Sequence, residues 1–211
     1  MGNFWTAQKT IEVEVKVDDL IDEADKYYYC DDDKKDRKKA LHIYQIVVDM
    51  YLLQNKPANA ERYKLILAEI FAEEGNFGRA AEIYFDLGDE RLATPLSSRQ
   101  SNELAKFAVP DLYLKGLMCM MASGDYVMAH KKFIECKNKI GETCFVKPLG
   151  LFVELYLKAI LSKHKDDAYA LLEMFEEQHP PKSSIKTCIY RLRKKYISEY
   201  NISDNNGKLI I

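Results

Sequence analysis

The side chains that could run chemistry in this chain are few and scattered. Four histidines, His42, His130, His164 and His179, each fall on a separate helical segment or helix end. Five cysteines, Cys30, Cys119, Cys136, Cys144 and Cys188, include no CxxC pair. Metal binding needs ligands at short, fixed spacing, and a nucleophile needs a base beside it. Cys136 with His130 is a combination of that kind, but a lone histidine on a helix surface is ordinarily just solvated. No Gly-rich phosphate loop, GxSxG, HExxH or EF-hand spacing occurs. The expectation is a protein without catalytic residues, cofactor or metal.

The elements that would have to position such residues belong to an ordinary globular chain. Its 211 residues carry 31 basic and 33 acidic side chains, a net charge of -2, with 47% apolar residues. That balance argues against a nucleic-acid binder, which shows a basic excess. Nine Gly and six Pro are too few for a disordered chain. The longest uncharged apolar run, Gly116 to Gly124, stops at nine residues, far short of the roughly 20 a membrane-spanning helix needs. No secretory signal is evident, and unpaired cysteines fit a reducing, cytoplasmic setting in which most act as small core residues.

Helical periodicity dominates. Leu41, Tyr44, Val47, Val48, Tyr51 and Leu52 recur at three and four residues, as do Ile185, Ile189, Leu192 and Tyr196. The spacing predicts about nine helices, near 18–30, 36–53, 57–74, 76–88, 110–123, 125–138, 149–163, 166–178 and 183–199. A short piece at 101–107 is either separate or part of its neighbour. Pro57 suits a first helical turn, Gly75 and Gly124 suit helix ends, and Pro180-Pro181 stops a helix. Only Ile11 to Val17 alternates with period two, which reads as a strand or an extended arm.

A repeat is the informative pattern. Gly75-Asn76-Phe77-Gly78-Arg79-Ala80, then Tyr84, matches Gly124-Asp125-Tyr126-Val127-Met128-Ala129, then Phe133. Weaker copies pair Ala40 with Tyr44 and Ala168 with Leu172, so the alanines stand 40, 49 and 39 residues apart. A period in this range points to stacked helical hairpins. The small Ala lets one helix approach the next, and the aromatic residue one turn later fills the space between hairpins. The fold expected is all-α: a tetratricopeptide-like helical-hairpin solenoid with a C-terminal helical bundle. The expected division is an arm at 1–17, hairpins at 18–145, the bundle at 146–200 and a tail at 201–211. Such a solenoid works by presenting a surface to another protein.

More specific is the stretch Asn102-Glu103-Leu104-Ala105-Lys106-Phe107, followed by Asp111-Leu112-Tyr113-Leu114-Lys115-Gly116-Leu117-Met118-Cys119. Together with Lys39-Ala40-Leu41-His42-Ile43-Tyr44, Gly78-Arg79-Ala80-Ala81-Glu82-Ile83-Tyr84 and Tyr190-Arg191-Leu192-Arg193-Lys194-Lys195-Tyr196-Ile197, it resembles the soluble NSF attachment protein (SNAP) family, alpha/gamma-type. The resemblance spans about residues 18 to 200 and corresponds to a member lacking its N-terminal third. It implies an adaptor that coats a SNARE bundle (syntaxin-type) and recruits the ATPase NSF for disassembly in vesicle fusion and intracellular protein transport. SNARE bundles are acidic, so basic residues are expected to face them: Lys64, Lys115, Lys131 and Lys132, with Arg62 and Arg79 as further candidates. Lys115 stands at the family's recurrent lysine.

Departures from the family pattern bear on the second partner. The turn that carries an acidic cluster in the family reads Ser162-Lys163-His164-Lys165-Asp166-Asp167 here, and the chain ends Gly207-Lys208-Leu209-Ile210-Ile211. Leu209 and Ile210 are the NSF-facing candidates. Lys182, Lys186, Arg191, Arg193, Lys194 and Lys195 give +6 with no acid from 182 to 196, which fits an anionic protein or lipid headgroups. Met1-Gly2-Asn3-Phe4-Trp5-Thr6 fits an N-myristoylation pattern at Gly2, so a peripheral membrane contact is expected. The competing reading is a generic tetratricopeptide-type scaffold unrelated to NSF.

Overall fold

The computed structural model describes residues 16–30, 36–93, 101–178 and 183–204. Gly2, Leu209 and Ile210 lie outside them. Within them there is no strand, and nine α-helices and one 3-10 turn follow one another. These are α1 (16–28), α2 (Arg37–Leu53), α3 (Pro57–Glu73), α4 (Phe77–Ala93), α5 (Ser101–Ser123), α6 (Tyr126–Ile140), the 3-10 turn (Glu142–Phe145), α7 (Pro148–Leu161), α8 (Lys165–Gln178) and α9 (Ser183–Asp204). They pack as sequential hairpins, in agreement with an all-α, tetratricopeptide-like fold. Contacts divide the chain into two compact units, Met1–Ile70 and Phe71–Ile211.

The repeat is a turn before it is a helix. α2, α3 and α7 end in a residue with positive φ: Asn55 at 56°, Gly75 at 79° and Lys163 at 63°. The next amide reaches back to the last full turn, from Lys56 to the Tyr51 carbonyl, from Asn76 to Phe71 and from His164 to Ala159. This is the Schellman arrangement, which satisfies carbonyls the helix end would otherwise leave open. Gly124, at 97°, ends α5. Five residues after each of these positions stands an alanine, at 60, 80, 129 and 168, at most 1% exposed. Ala40 is equally buried. Ala60 is therefore a copy that the glycine-based pattern does not show, because Asn55 takes the left-handed position instead. Asp36 and Asp125 cap the starts of α2 and α6 through the amides of Lys39 and Met128.

The first unit is built on tyrosines. Tyr44 and Tyr51 of α2 both stack on Tyr63 of α3, at 5.9 and 5.7 Å between ring centres. Tyr28 of α1 meets Tyr44 edge-on at 6.4 Å. The Tyr44 hydroxyl donates to Asp25. Burial, and then that carboxylate, push the hydroxyl well above its ordinary value.

The second unit is organised around α5. Leu112, Tyr113, Leu114, Leu117, Met118, Cys119, Met121 and Ala122 are all 4% exposed or less. A helix apolar on every side has to sit at a centre, and α5 packs on α4, α6, α7 and α9. The approach of α4 is set by glycine. A Cβ on Gly88 would stand 2.5 Å from the Tyr113 ring, and one on Gly116 3.0 Å from Phe85. At the next residue of α4, Asp89 accepts a hydrogen bond from the Tyr113 hydroxyl. Lys139 of α6 donates to the same carboxylate at 3.0 Å and lies 3.2 Å from Glu135. Burial works against the Asp89 charge, yet the bonds from Tyr113 and Lys139 outweigh it and hold the carboxyl below 3.8. The Asp89 bond in turn raises Lys139. α9 returns to α5 through Cys188, whose sulfur is 3.8 Å from that of Cys119.

Several expected boundaries move. The piece at 101–107 is continuous with 110–123, and α5 runs through Pro110. A proline in a helix interior forfeits one backbone bond, and here Val109, Leu112 and Tyr113 are buried on either side of it. α4 does not stop at Gly88 but continues to Ala93, because Gly88 serves contact with α5 rather than termination. Residues 16 and 17 open α1 instead of closing a strand, with Val17 buried in the core, and 11–15 lie outside the described residues. α9 extends to Asp204, past the predicted end at 199.

Two outcomes follow from the α4–α5 contact. Gly88→Ala improves intrinsic helix propensity by about 1 kcal/mol but forces the held Tyr113 ring aside, so a net loss of roughly 1–2 kcal/mol is expected in urea unfolding. Asp89→Asn is expected to cost about 1 kcal/mol at pH 7, after allowing for solvent screening. The folded carboxyl titrates below 3.8, so its contribution is present above that pH and lost as pH falls through the depressed folded value. The stability gap between wild type and Asp89→Asn should therefore close below pH 3.8; a constant gap would contradict the network.

Candidate functional site

Among the candidate reactive side chains, Cys136 is buried on α6, and burial is the main cause that pushes its thiol up to about 12. An activated thiol shifts the other way. Among the described residues no group of three or more His, Cys, Asp or Glu could hold a metal ion. His164 sits 3.5 Å from Asp167 in an exposed first-turn contact of α8.

The basic candidates fare unequally. Adjacent residues of α4, Tyr84 and Phe85, each lie beneath an ammonium group. Lys115 of α5 approaches the Tyr84 ring at 5.4 Å, and Lys132 of α6 approaches Phe85 at 5.3 Å. A cation over an aromatic face is held by the ring quadrupole. Tyr84 and Phe85 are successive residues, so the two rings, and the ammonium groups above them, leave α4 about 100° apart. Lys131 is exposed on α6 beside Lys132. Successive helical residues diverge by about 100°, so Lys131 points away from the direction Lys132 takes.

Not all of that charge is available to a partner. Lys132 also contacts Glu135 at 3.1 Å, and Lys132, Lys139, Asp89 and Glu135 together are neutral. Glu135 is held below its usual value by Lys132 first and Lys139 second. Arg79 pairs with Glu82 at 2.9 Å on exposed α4. Lys64 and Arg62 belong to the first unit, on α3; Lys64 is half-buried and Arg62 rests 5.7 Å from the Tyr63 ring.

The last helix divides its cations in two. Arg193 turns inward to Glu176 of α8. Lys195 lies over the Tyr126 ring at 4.8 Å and fills the space beside Gly124, at the C-terminal end of α5. A cation there also complements the negative end of the helix dipole. Lys186, Arg191 and Lys194 are exposed. Between α6, α7, α8 and α9 a cavity of about 260 Å³ is lined by Tyr126, Tyr156, Tyr169, Tyr196, Lys165 and Lys195, among others. It presents rings and cations, with Tyr196 already donating to Asp166 at 2.8 Å.

The altered turn is engaged locally as well. Lys163 holds the left-handed position there, and Asp166 and Asp167 lie in the first turn of α8, where carboxylates favour a helix N-terminus. Sequence reasoning missed the bonds of Asp89 to Tyr113 and Lys139. The partners are 24 and 50 residues away, and no local pattern marks such distances.

No curated protein matches the chain. The family described as "Soluble NSF attachment protein, SNAP" matches residues 23–142, a span that runs from α1 to the start of the 3-10 turn and includes both strong copies of the repeat. With more than half its length matched and helical hairpins throughout the described residues, the chain belongs to the soluble NSF attachment protein family, a family of non-enzymatic adaptors.

Proposed function

We propose that the chain binds assembled SNARE bundles through the second unit's cations on α5 and α6, and recruits an NSF-type ATPase to take the bundle apart. Family membership supports a role related to SNAREs and NSF. The observation that carries the finer reading is the pair of lysines, Lys115 and Lys132, seated on adjacent rings of α4. A ring beneath an ammonium group fixes its position; Lys132 shares part of its charge with Glu135 at 3.1 Å. A pre-positioned cation loses less side-chain freedom when an acidic rod docks, so more of the attraction appears as affinity. Lys131 is a further exposed cation of α6, directed away from Lys132.

Lys64 is a separate candidate on the first unit, to be tested by its own reversal. Leu209 and Ile210 are the proposed NSF contacts. The same reading places the protein in the cytoplasm or peripherally on a membrane. No helix among the described residues is long and apolar enough to cross a bilayer.

Pull-down with assembled bundles and with single SNARE chains tests the first step. Bundles should be retained and single chains released. Retention of single chains alone would favour a general tetratricopeptide-type scaffold. Reversal of Lys115, Lys131 and Lys132 to Glu should weaken bundle binding about tenfold or more and flatten its salt dependence; unchanged affinity in a folded variant removes this face. The second step is read from ATP-dependent bundle disassembly by NSF. Added protein should accelerate it, and deletion of Leu209 to Ile211 should abolish the gain while leaving bundle binding intact.

A further inference from the structure

We infer that the outer face of α9 is a docking surface for an anionic lipid bilayer. α9 is amphipathic in an unusual way. Its inner face is apolar: Cys188, Ile189 and Leu192 are each 1% exposed, and Cys188 meets Cys119 of α5. Its outer face is not simply polar. Tyr190 is 66% and Ile197 46% exposed, among cations at Lys186, Arg191 and Lys194. At about 100° per residue, Lys186, Ile197, Tyr190 and Lys194 follow one another round roughly 80° of the helix, with Arg191 about 60° further on. Apolar groups therefore sit in the middle of the stripe and cations at its edges. A helix lying in a membrane interface has this arrangement: the middle inserts among acyl chains while the edges reach headgroups.

Charge supports the same occupant. No acidic residue occurs from 183 to 198. Two acids of α8 are placed against this helix: Glu176 is paired with Arg193, which points to α8, and Asp166 accepts from the Tyr196 hydroxyl. Among the described residues Lys186, Arg191 and Lys194 enter no ion pair, unlike Arg193, and Lys195 is taken up by the Tyr126 ring. The three outward cations are therefore unneutralised. The stripe lies along a single helix, convex in cross-section. Mobile lipid headgroups can gather round such a surface, whereas a rigid acidic protein would need a complementary groove. This face is distinct from Lys115, Lys131 and Lys132, and the inference does not rest on SNARE binding.

Flotation of the full-length chain, made in bacteria so that Gly2 carries no acyl group, with vesicles tests it. Vesicles of phosphatidylcholine with phosphatidylserine should carry the protein up, and pure phosphatidylcholine vesicles should not. High salt should release it. Each cation near an anionic leaflet is worth roughly fivefold in binding, so the triple change Lys186→Glu, Arg191→Glu and Lys194→Glu should weaken it by about a hundredfold or more. Tyr190→Ser with Ile197→Ser should weaken binding without altering its salt dependence. Equal flotation of wild type and the charge variant, or no flotation with anionic vesicles, overturns the inference. So does loss of bundle retention in the charge variant with lipid binding unchanged, which would make the face a protein contact. Failure of bundle binding in the wild type, with flotation as expected, would count only against the SNARE reading.

Discussion

Tyr113 meets α4 at Gly88, where a ring can lie against the backbone. Gly88 gives way to the ring, and Asp89, the next residue, takes its hydroxyl. Much of the second unit follows from that contact. It brings α4 and α5 close enough for Phe85 to lie against Gly116. It also places the Asp89 carboxylate where Lys139 can reach it, so that α6 is tied to the same point. Hydrogen bonds to a charged group are among the stronger polar contacts, and each loses more when one partner is left behind. The helices thereby acquire a defined register as well as a shared apolar surface.

The register has consequences for charge. Lysines on a helical adaptor are ordinarily solvated, and their sequence positions do not say which ones are held. Here the packing sorts them. Lys139, Lys195 and Arg193 join helices to one another. Lys115 and Lys132 stand over aromatic rings. Lys186, Arg191 and Lys194 face outward. The +6 run of the last helix is thus not a single basic patch. Part of it holds the helix down, and the remainder forms a narrow stripe with two exposed apolar side chains.

Turn chemistry shows how a repeat outlasts its own motif. The function of Gly75 is to adopt positive φ and let Asn76 close the helix end. Asn55 does the same at little cost, since asparagine tolerates that conformation. Lys163 also does it, against its intrinsic preference. The conserved quantity across these turns is a backbone shape followed by a buried alanine. A pattern written in residue letters recovers only the copies where glycine supplies the shape.

The sequence by itself determined that the chain is helical, where most helices begin and end, and that Ala40, Ala80, Ala129 and Ala168 with Tyr44, Tyr84, Phe133 and Leu172 are core positions. These follow from local rules: a period near 3.6, caps, and residues that stop helices. The blocks resembling the SNAP family at 39–44, 78–84 and 102–119, which lie within the matched residues 23–142, were also contiguous and legible without a fold. Tertiary structure alone decided that α5 passes through Pro110, that Gly88 is a contact and not an end, and that Asp89, Tyr113 and Lys139 meet. It alone divided the cations into buried-facing and outward ones. The reason is range: each of these depends on which side chain arrives from another helix, and that is fixed by packing between segments far apart in the chain.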